Sequence, residues 1–342
     1  MNTNLMKENI NFGLEFLRMI LSFWVLIHHC CPIKNQIILN YFFIKSYHVP
    51  TFVIISFYFF YKTISKNNIN KINQRFERLC IPYFIWPLII WVINNILYYI
   101  NMSAFNRRFD LKELIMQFLI GRPYQFILWY NFNIIFITII FSIISIILKR
   151  KFLIVIQVIG LLSYILQYSY INLNFFNQYN ISISSSVGLI PELFPIAVIG
   201  ISIGSIELIK LIRKFRIKSI ILSIFLLFFI RTFNIFYNIK GIFYPGVEIN
   251  ICGNLLFIIF SLLPFDYLKN NRIIKIIRQI TSHTGGIYYL HVIIDKLIQK
   301  IFQNKEIFLP IFKCIINYIT CYLICYIGMK IFKKTKIKFL FY

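Results

Sequence analysis

The chain has 342 residues, 59% of them apolar and only 14% charged, against about 45–50% and about 25% in a soluble domain. That excludes an ordinary soluble globule, a disordered chain and a small disulfide scaffold. The formal charge of +25 lies between apolar runs, so it reads as a topology signal rather than a nucleic-acid surface, and no nucleic-acid partner is expected.

Apolar runs of about 20 residues, long enough to cross a bilayer as helix, recur along the chain. Ten spans are predicted, near 11–31, 48–63, 79–100, 126–148, 152–171, 187–207, 218–237, 246–264, 279–299 and 308–330. The expected fold class is all-α, a polytopic transmembrane bundle. With the N-terminus inside, 23 Lys and Arg fall on inner segments, ten fall on outer ones, and Arg18, Arg231 and Lys313 lie within spans. That asymmetry places both termini in the cytoplasm. Residues 1–342 read as one domain with a core over about 10–330. A basic cytoplasmic tail, 331–342, follows as an anchor on anionic lipid. No appended soluble domain and no cleavable signal peptide are expected. The seven cysteines form no CxxC pair and no zinc spacing, so no metal is expected.

The first span carries the most informative residues. Arg18 and His29 are eleven apart, about 20° past three whole helical turns, so they share a face about 16 Å apart along the axis. Glu15 and Ser22 fall on the same face, while His28 points about 100° away. Ionisable groups inside a bundle are costly and tend to mark function, so the stripe Glu15, Arg18, Ser22, His29 reads as a reaction channel. The competing reading is a set of snorkelling end residues and a hydrogen-bonded core histidine. At the start of the third span, Arg75 and Arg78 lie three apart at a cytoplasmic helix end. Such a pair suits the phosphates of a cytosolic cofactor, and equally an ordinary positive-inside cluster.

In the long outer loop, Asp110 and Glu113 have capping-box spacing. Leu111, Leu114, Ile115, Phe118 and Leu119 form one apolar stripe, and Gly121 is a stop. The spacing predicts a short helix on the outer membrane surface, a lid or a resting loop. Further polar groups lie in the outer half: His48, Glu192, Arg231, Glu248 and His291. Each alone reads as a structural partner, Glu192 with Arg231 as a buried ion pair, and Trp129 as an interfacial belt residue.

These stretches resemble the acyltransferase 3 family of membrane O-acyltransferases. "GLEFLRMILSFWVLIHHC" is similar to the family's first helix, whose signature is an arginine, ten residues and a histidine, here Arg18 and His29. "SYHVPTFVIISFYFF" is similar to the second helix. "RFERLCIPYFIW" resembles the motif of two arginines and a proline, here Arg75, Arg78 and Pro82. "FILWYNFNIIF" and "IYYLHVII" resemble the fourth and ninth helices. Where the family usually has Ser-Gly in helix two, this chain has Ser56-Phe57, so packing near the site is expected to differ.

The resemblance implies transfer of an acyl group, usually acetyl, from cytosolic acyl-CoA to a hydroxyl of a cell-envelope polysaccharide or lipid-linked sugar. Arg75 and Arg78 would hold the CoA phosphates, Glu15 would orient Arg18, and His29 would act as general base or carry a transient acyl group. His48, Glu192, Arg231, Glu248 and His291 would hydrogen-bond the glycan acceptor, and Trp129 would stack on a sugar. The expected setting is a bacterial inner membrane, with the bilayer, acetyl-CoA and a surface glycan as partners. Many members carry a further extracytoplasmic domain, so a separate partner can supply that role. Two rival readings stand beside this one: a polysaccharide exporter or flippase, and a non-catalytic scaffold for glycan assembly.

Overall fold

A computed structural model describes residues 3–30, 47–66, 69–99, 108–120, 128–173, 190–205, 212, 214–237, 245–263, 272–301 and 310–341. All secondary structure among the described residues is helical. The helices are α1 (Thr3–Cys30), α2 (His48–Ile64), α3 (Ile69–Tyr99), α4 (Leu111–Ile120), α5 (Leu128–Leu148) and α6 (Phe152–Leu173). They continue as α7 (Ile190–Ser205), α8 (Arg216–Tyr237), α9 (Pro245–Leu262), α10 (Arg272–Thr281), α11 (Thr284–Ile301) and α12 (Pro310–Ile331), followed by a 3-10 turn at Lys336–Phe341. A helix thus covers each of the ten predicted segments. Among the described residues, four stretches are long and apolar enough to cross a membrane: Phe12–His29, Asn70–Tyr99, Trp129–Leu148 and Ile311–Ile331.

The central helix is α2. Pro50, Thr51, Val53, Ile54, Ile55, Phe57, Tyr58 and Phe60 are all buried, so it is covered nearly all round. It packs against α7, α9, α1, α3 and α5. Close approach to α7 is bought by the far side: a Cβ on Gly200 would stand 2.7 Å from the Ile54 carbonyl oxygen and 3.2 Å from Phe57 Cβ. Gly204, one turn on, faces Tyr58 and Tyr61. This is the small-xxx-small face by which membrane helices pack closely. Position 57, where glycine is expected, holds a fully buried phenylalanine, and the glycine at this contact is Gly200 of α7. Phe57 then fills the core, edge-on to Phe60 and Phe141.

Helix α3 begins ten residues before its predicted apolar span, because Lys, Gln, Arg and Glu continue a helix well while lowering its hydropathy. Helix α4 forms where capping predicts it, with the Glu113 carboxylate accepting the Asp110 N–H at 3.2 Å. Its placement differs from the expectation of a surface helix. Asn95, near the outer end of α3, exchanges hydrogen bonds with the Phe109 backbone at 2.9 and 3.1 Å. Tyr83, twelve residues earlier, donates to the carbonyls of Gln117 and Phe118. Twelve residues are about 18 Å of helix, so α4 runs back antiparallel alongside α3 instead of lying across the bundle. Its apolar stripe is accordingly split: Leu114 is buried while Leu111, Ile115 and Leu119 are exposed.

The helix α10 has no counterpart among the predicted elements. Ile274 and Ile277 bury against Phe12 of α1, while Ile273 and Ile276 remain exposed beside Arg272, Lys275 and Arg278. The basic tail also folds back. Phe339 and Leu340 are buried, the Trp86 indole N–H donates to the Leu340 carbonyl at 3.1 Å, and Lys336 pairs with Glu77. Lys333, Lys334 and Lys336 stay exposed.

Candidate functional site

Four imidazoles form a row across three helices. His28 and His29 end α1, His48 begins α2 and His291 lies in the middle of α11. Ring centres are 5.5 Å apart from His48 to His28, 5.3 Å from His28 to His29 and 5.4 Å from His29 to His291. The row's ends are buried: His48 is 4% and His291 0% exposed. His29, inside the row, is exposed. The His48 Nδ1 and His291 Nε2 atoms are buried without a hydrogen-bond partner, an unusual state for polar atoms in a packed core. Trp24, one turn before His28, closes the inner side 6.4 Å from His48. Among the described residues, no three His, Cys, Asp or Glu side chains are grouped to hold a metal ion.

Below the row, the α1 stripe faces α12, α11 and α10 in turn. Ser22 shares a 2.9 Å hydrogen bond with the Tyr318 hydroxyl. Arg18 donates through Nη2 to Thr284 Oγ1 at 3.1 Å, at the start of α11. The Glu15 carboxylate accepts from Arg278 Nε on α10 at 3.2 Å. Tyr318, Thr284 and Arg278 are partners that sequence reasoning missed. In the sequence, Arg278 is one of the inner-segment charges and Tyr318 lies within an apolar run.

The two arginines of α3 part company. Arg75 turns inward, donating to the Ser56 carbonyl at 3.1 Å, to Ser56 Oγ at 2.9 Å and to Thr138 Oγ1 at 3.3 Å. Its guanidinium lies over Phe60 and Phe57, 4.8 and 5.2 Å from the ring centres. It ties α2, α3 and α5 together, with only neutral oxygens as hydrogen-bond partners. Its Nε is buried with no hydrogen-bond partner. Arg78 is exposed, and its guanidinium lies 5.9 Å from the Phe339 ring of the folded-back tail.

Between the arginines and the histidines stands Tyr130, at the start of α5, within electrostatic reach of both Arg75 and Arg18. Its ring is 5.9 Å from Tyr288 and 6.5 Å from Phe52, and Tyr288 is 6.0 Å from His291. Tyr130 thus links the two groups, a position the sequence reading passed over in favour of its neighbour Trp129. Trp129 is half-buried and packs edge-on to Tyr130 at 6.1 Å. Glu192, Arg231 and Glu248 belong to α7, α8 and α9, but their side chains lie outside the described residues.

Comparison with known families gave one match. The acyltransferase 3 family model, described as "Acyltransferase domain", matches residues 11–330, nearly the whole chain. No curated protein and no solved structure matched.

Proposed function

The chain belongs to the acyltransferase 3 family, and from that premise we propose that it is a membrane O-acetyltransferase, moving acetyl from acetyl-CoA to a hydroxyl of a cell-envelope glycan or lipid-linked sugar. The observation that carries this reading is the alignment just described. An exposed histidine stands in a row with buried imidazoles, on the same helix as Arg18, and Tyr130 lies within electrostatic reach of both Arg18 and Arg75. In this reading ten helices cross a bacterial inner membrane and both termini face the cytoplasm. The basic inner segments support that orientation.

The donor enters at the Arg78 end. Arg78, exposed, meets the CoA phosphates, for which a guanidinium is well matched. Arg75 supplies the field behind it: a buried cation whose hydrogen-bond partners are neutral oxygens retains charge to attract an anion. Arg18, held by Thr284, stands on the path to His29. Glu15 acts at one remove, through the α1–α10 contact it makes with Arg278.

At the reacting end, His29 takes the proton of the acceptor hydroxyl, the usual work of a positioned histidine. The hydroxyl oxygen attacks the thioester carbonyl, the C–S bond breaks, and the proton passes to the departing thiolate, leaving CoA as the thiol. Transfer through an acyl-histidine would use the same residue as nucleophile. His48, Trp129, Glu192, Arg231, Glu248 and His291 were assigned to the acceptor. Of these, His48 gains support from its place in the histidine row, 5.5 Å from His28.

The test compares surface glycans of cells carrying the wild type and His29→Ala, by mass spectrometry under extraction that preserves esters. A base-labile acetyl group present only with the wild type is the expected result. Equal acetylation in the two strains, with His29→Ala at normal membrane levels, would overturn the reading. Unchanged ester content with less glycan at the surface would replace it with export.

A further inference from the structure

We infer that His291 is not a ligand for the acceptor but the positioning partner of His29, accepting a hydrogen bond from the second ring nitrogen of that base. The inference rests on the acetyltransferase reading and sharpens it.

Three observations lead there. First, His291 Nδ1 lies 2.7 Å from the Tyr288 carbonyl. A carbonyl only accepts, so Nδ1 carries the hydrogen and Nε2 of the neutral ring is an acceptor. Second, that Nε2 is buried and has no hydrogen-bond partner. The side chain is fully enclosed, at 0% exposure, so it is poorly placed to meet a bulky sugar. Third, of the two rings against His291, His29 on α1 is the closer, 5.4 Å away centre to centre. A hydrogen bond of about 2.9 Å between two imidazoles puts their centres about 5 Å apart. A small rotation of the exposed His29 closes that distance.

The frame around His291 is built to hold this register. Asn317 of α12 donates to the His291 carbonyl at 2.9 Å, and Cys321 Sγ donates to Asn317 Oδ1 at 3.1 Å. Both are fully buried. Helix α11 is thereby locked against α12 at this level, and the imidazole is fixed by its own preceding turn. The arrangement is that of a base oriented by a third group. When the acceptor hydroxyl gives its proton to one nitrogen of His29, the other N–H of the imidazolium is held by His291 Nε2. The proton then goes on to the thiolate, and His291 gains and loses nothing over the cycle.

Two measurements test this on the full-length protein in native membranes. The first is transfer of labelled acetyl from acetyl-CoA into base-labile envelope product, for the wild type, His291→Leu and His291→Gln. Gln keeps an acceptor oxygen near the Nε2 position; Leu keeps only the volume. His291→Leu should lower kcat about tenfold to a hundredfold with the KM for acetyl-CoA unchanged, and His291→Gln should recover most of the loss. The second needs no acceptor: carbethoxylation of His29 by diethyl pyrocarbonate, followed by peptide mass spectrometry. His29 should react several-fold more slowly in His291→Leu and at near wild-type rate in His291→Gln.

Wild-type kcat in His291→Leu, or a rise in acceptor KM with kcat unchanged, would overturn the inference and leave His291 at most an acceptor ligand. Equal His29 carbethoxylation in all three proteins would overturn it as well. Absence of acetyl transfer by the wild type itself would remove the functional reading and this inference together.

Discussion

The α2–α7 seam and the α1–α11–α12 seam are both helix packings in one bundle, yet they differ in what is added to close fit. Along α2–α7, two glycines one turn apart admit the opposing backbone, and Ile54, Phe57 and Phe60 fill the space. Along α1–α11–α12, Gly286 lies close against Cys325, and Leu26, Ile287 and Leu290 are buried together. Polar contacts are added there: Ser22 to Tyr318, Arg18 to Thr284, and Asn317 to the His291 carbonyl. Lipid tails are as apolar as leucine, so burial alone does not press membrane helices together. Close fit does the work in the first seam, and hydrogen bonds join it in the second. The proposed chemistry gathers along the polar seam, where side chains are already arranged to carry protons and charge.

The contrast can be broken most sharply at Gly200. Gly200→Ile drives a branched side chain into the Ile54 carbonyl, a backbone atom that cannot step aside. Loss of about 3 kcal/mol or more is expected, read as a collapse in thermal stability in detergent and in membrane level. Arg18→Ala is the counterpart in the polar seam. It should lower acetyl transfer about a hundredfold or more while the melting temperature stays close to the wild type. Parallel loss of both would make Arg18 structural.

Arg75→Met separates the two roles of that residue. Methionine leaves the Ser56 and Thr138 hydroxyls without this donor, so about 1–3 kcal/mol of stability should be lost. The KM for acetyl-CoA should rise about tenfold, measured in membranes with limiting acetyl-CoA. The smallest effect belongs to Ser22→Ala, which removes one hydrogen bond to Tyr318. About 1 kcal/mol of stability is at stake, with kcat little changed, as checked by thermal shift alongside transfer assays.

Much of this was readable from residues alone, and the failures have physical causes. Helix α4 announced itself through Asp110, Glu113 and its stripe, since capping and periodicity are local properties. Its direction did not, because Tyr83 and Asn95, which fix it, lie on another helix. Helix α10 was hidden by its own charges: Arg272, Lys275 and Arg278 satisfy the topology rule whether or not the segment is helical. The stripe Glu15, Arg18, Ser22, His29 follows from helical geometry, whereas its partners needed the bundle. The inward turn of Arg75 and the outward turn of Arg78 were also beyond the sequence. Two arginines three residues apart look alike until Ser56 and Thr138 are placed beside one of them.

The close contact at the α2–α7 seam has an evolutionary consequence. The first atom that a Cβ at position 200 would meet is the Ile54 carbonyl oxygen, at 2.7 Å, and that oxygen is there whatever side chain position 54 or 57 carries. No substitution on α2 can open the space. Glycine at 200 should therefore be held independently of its neighbours for as long as the two helices pack this closely, while Phe57 is free to vary with the side chains around it.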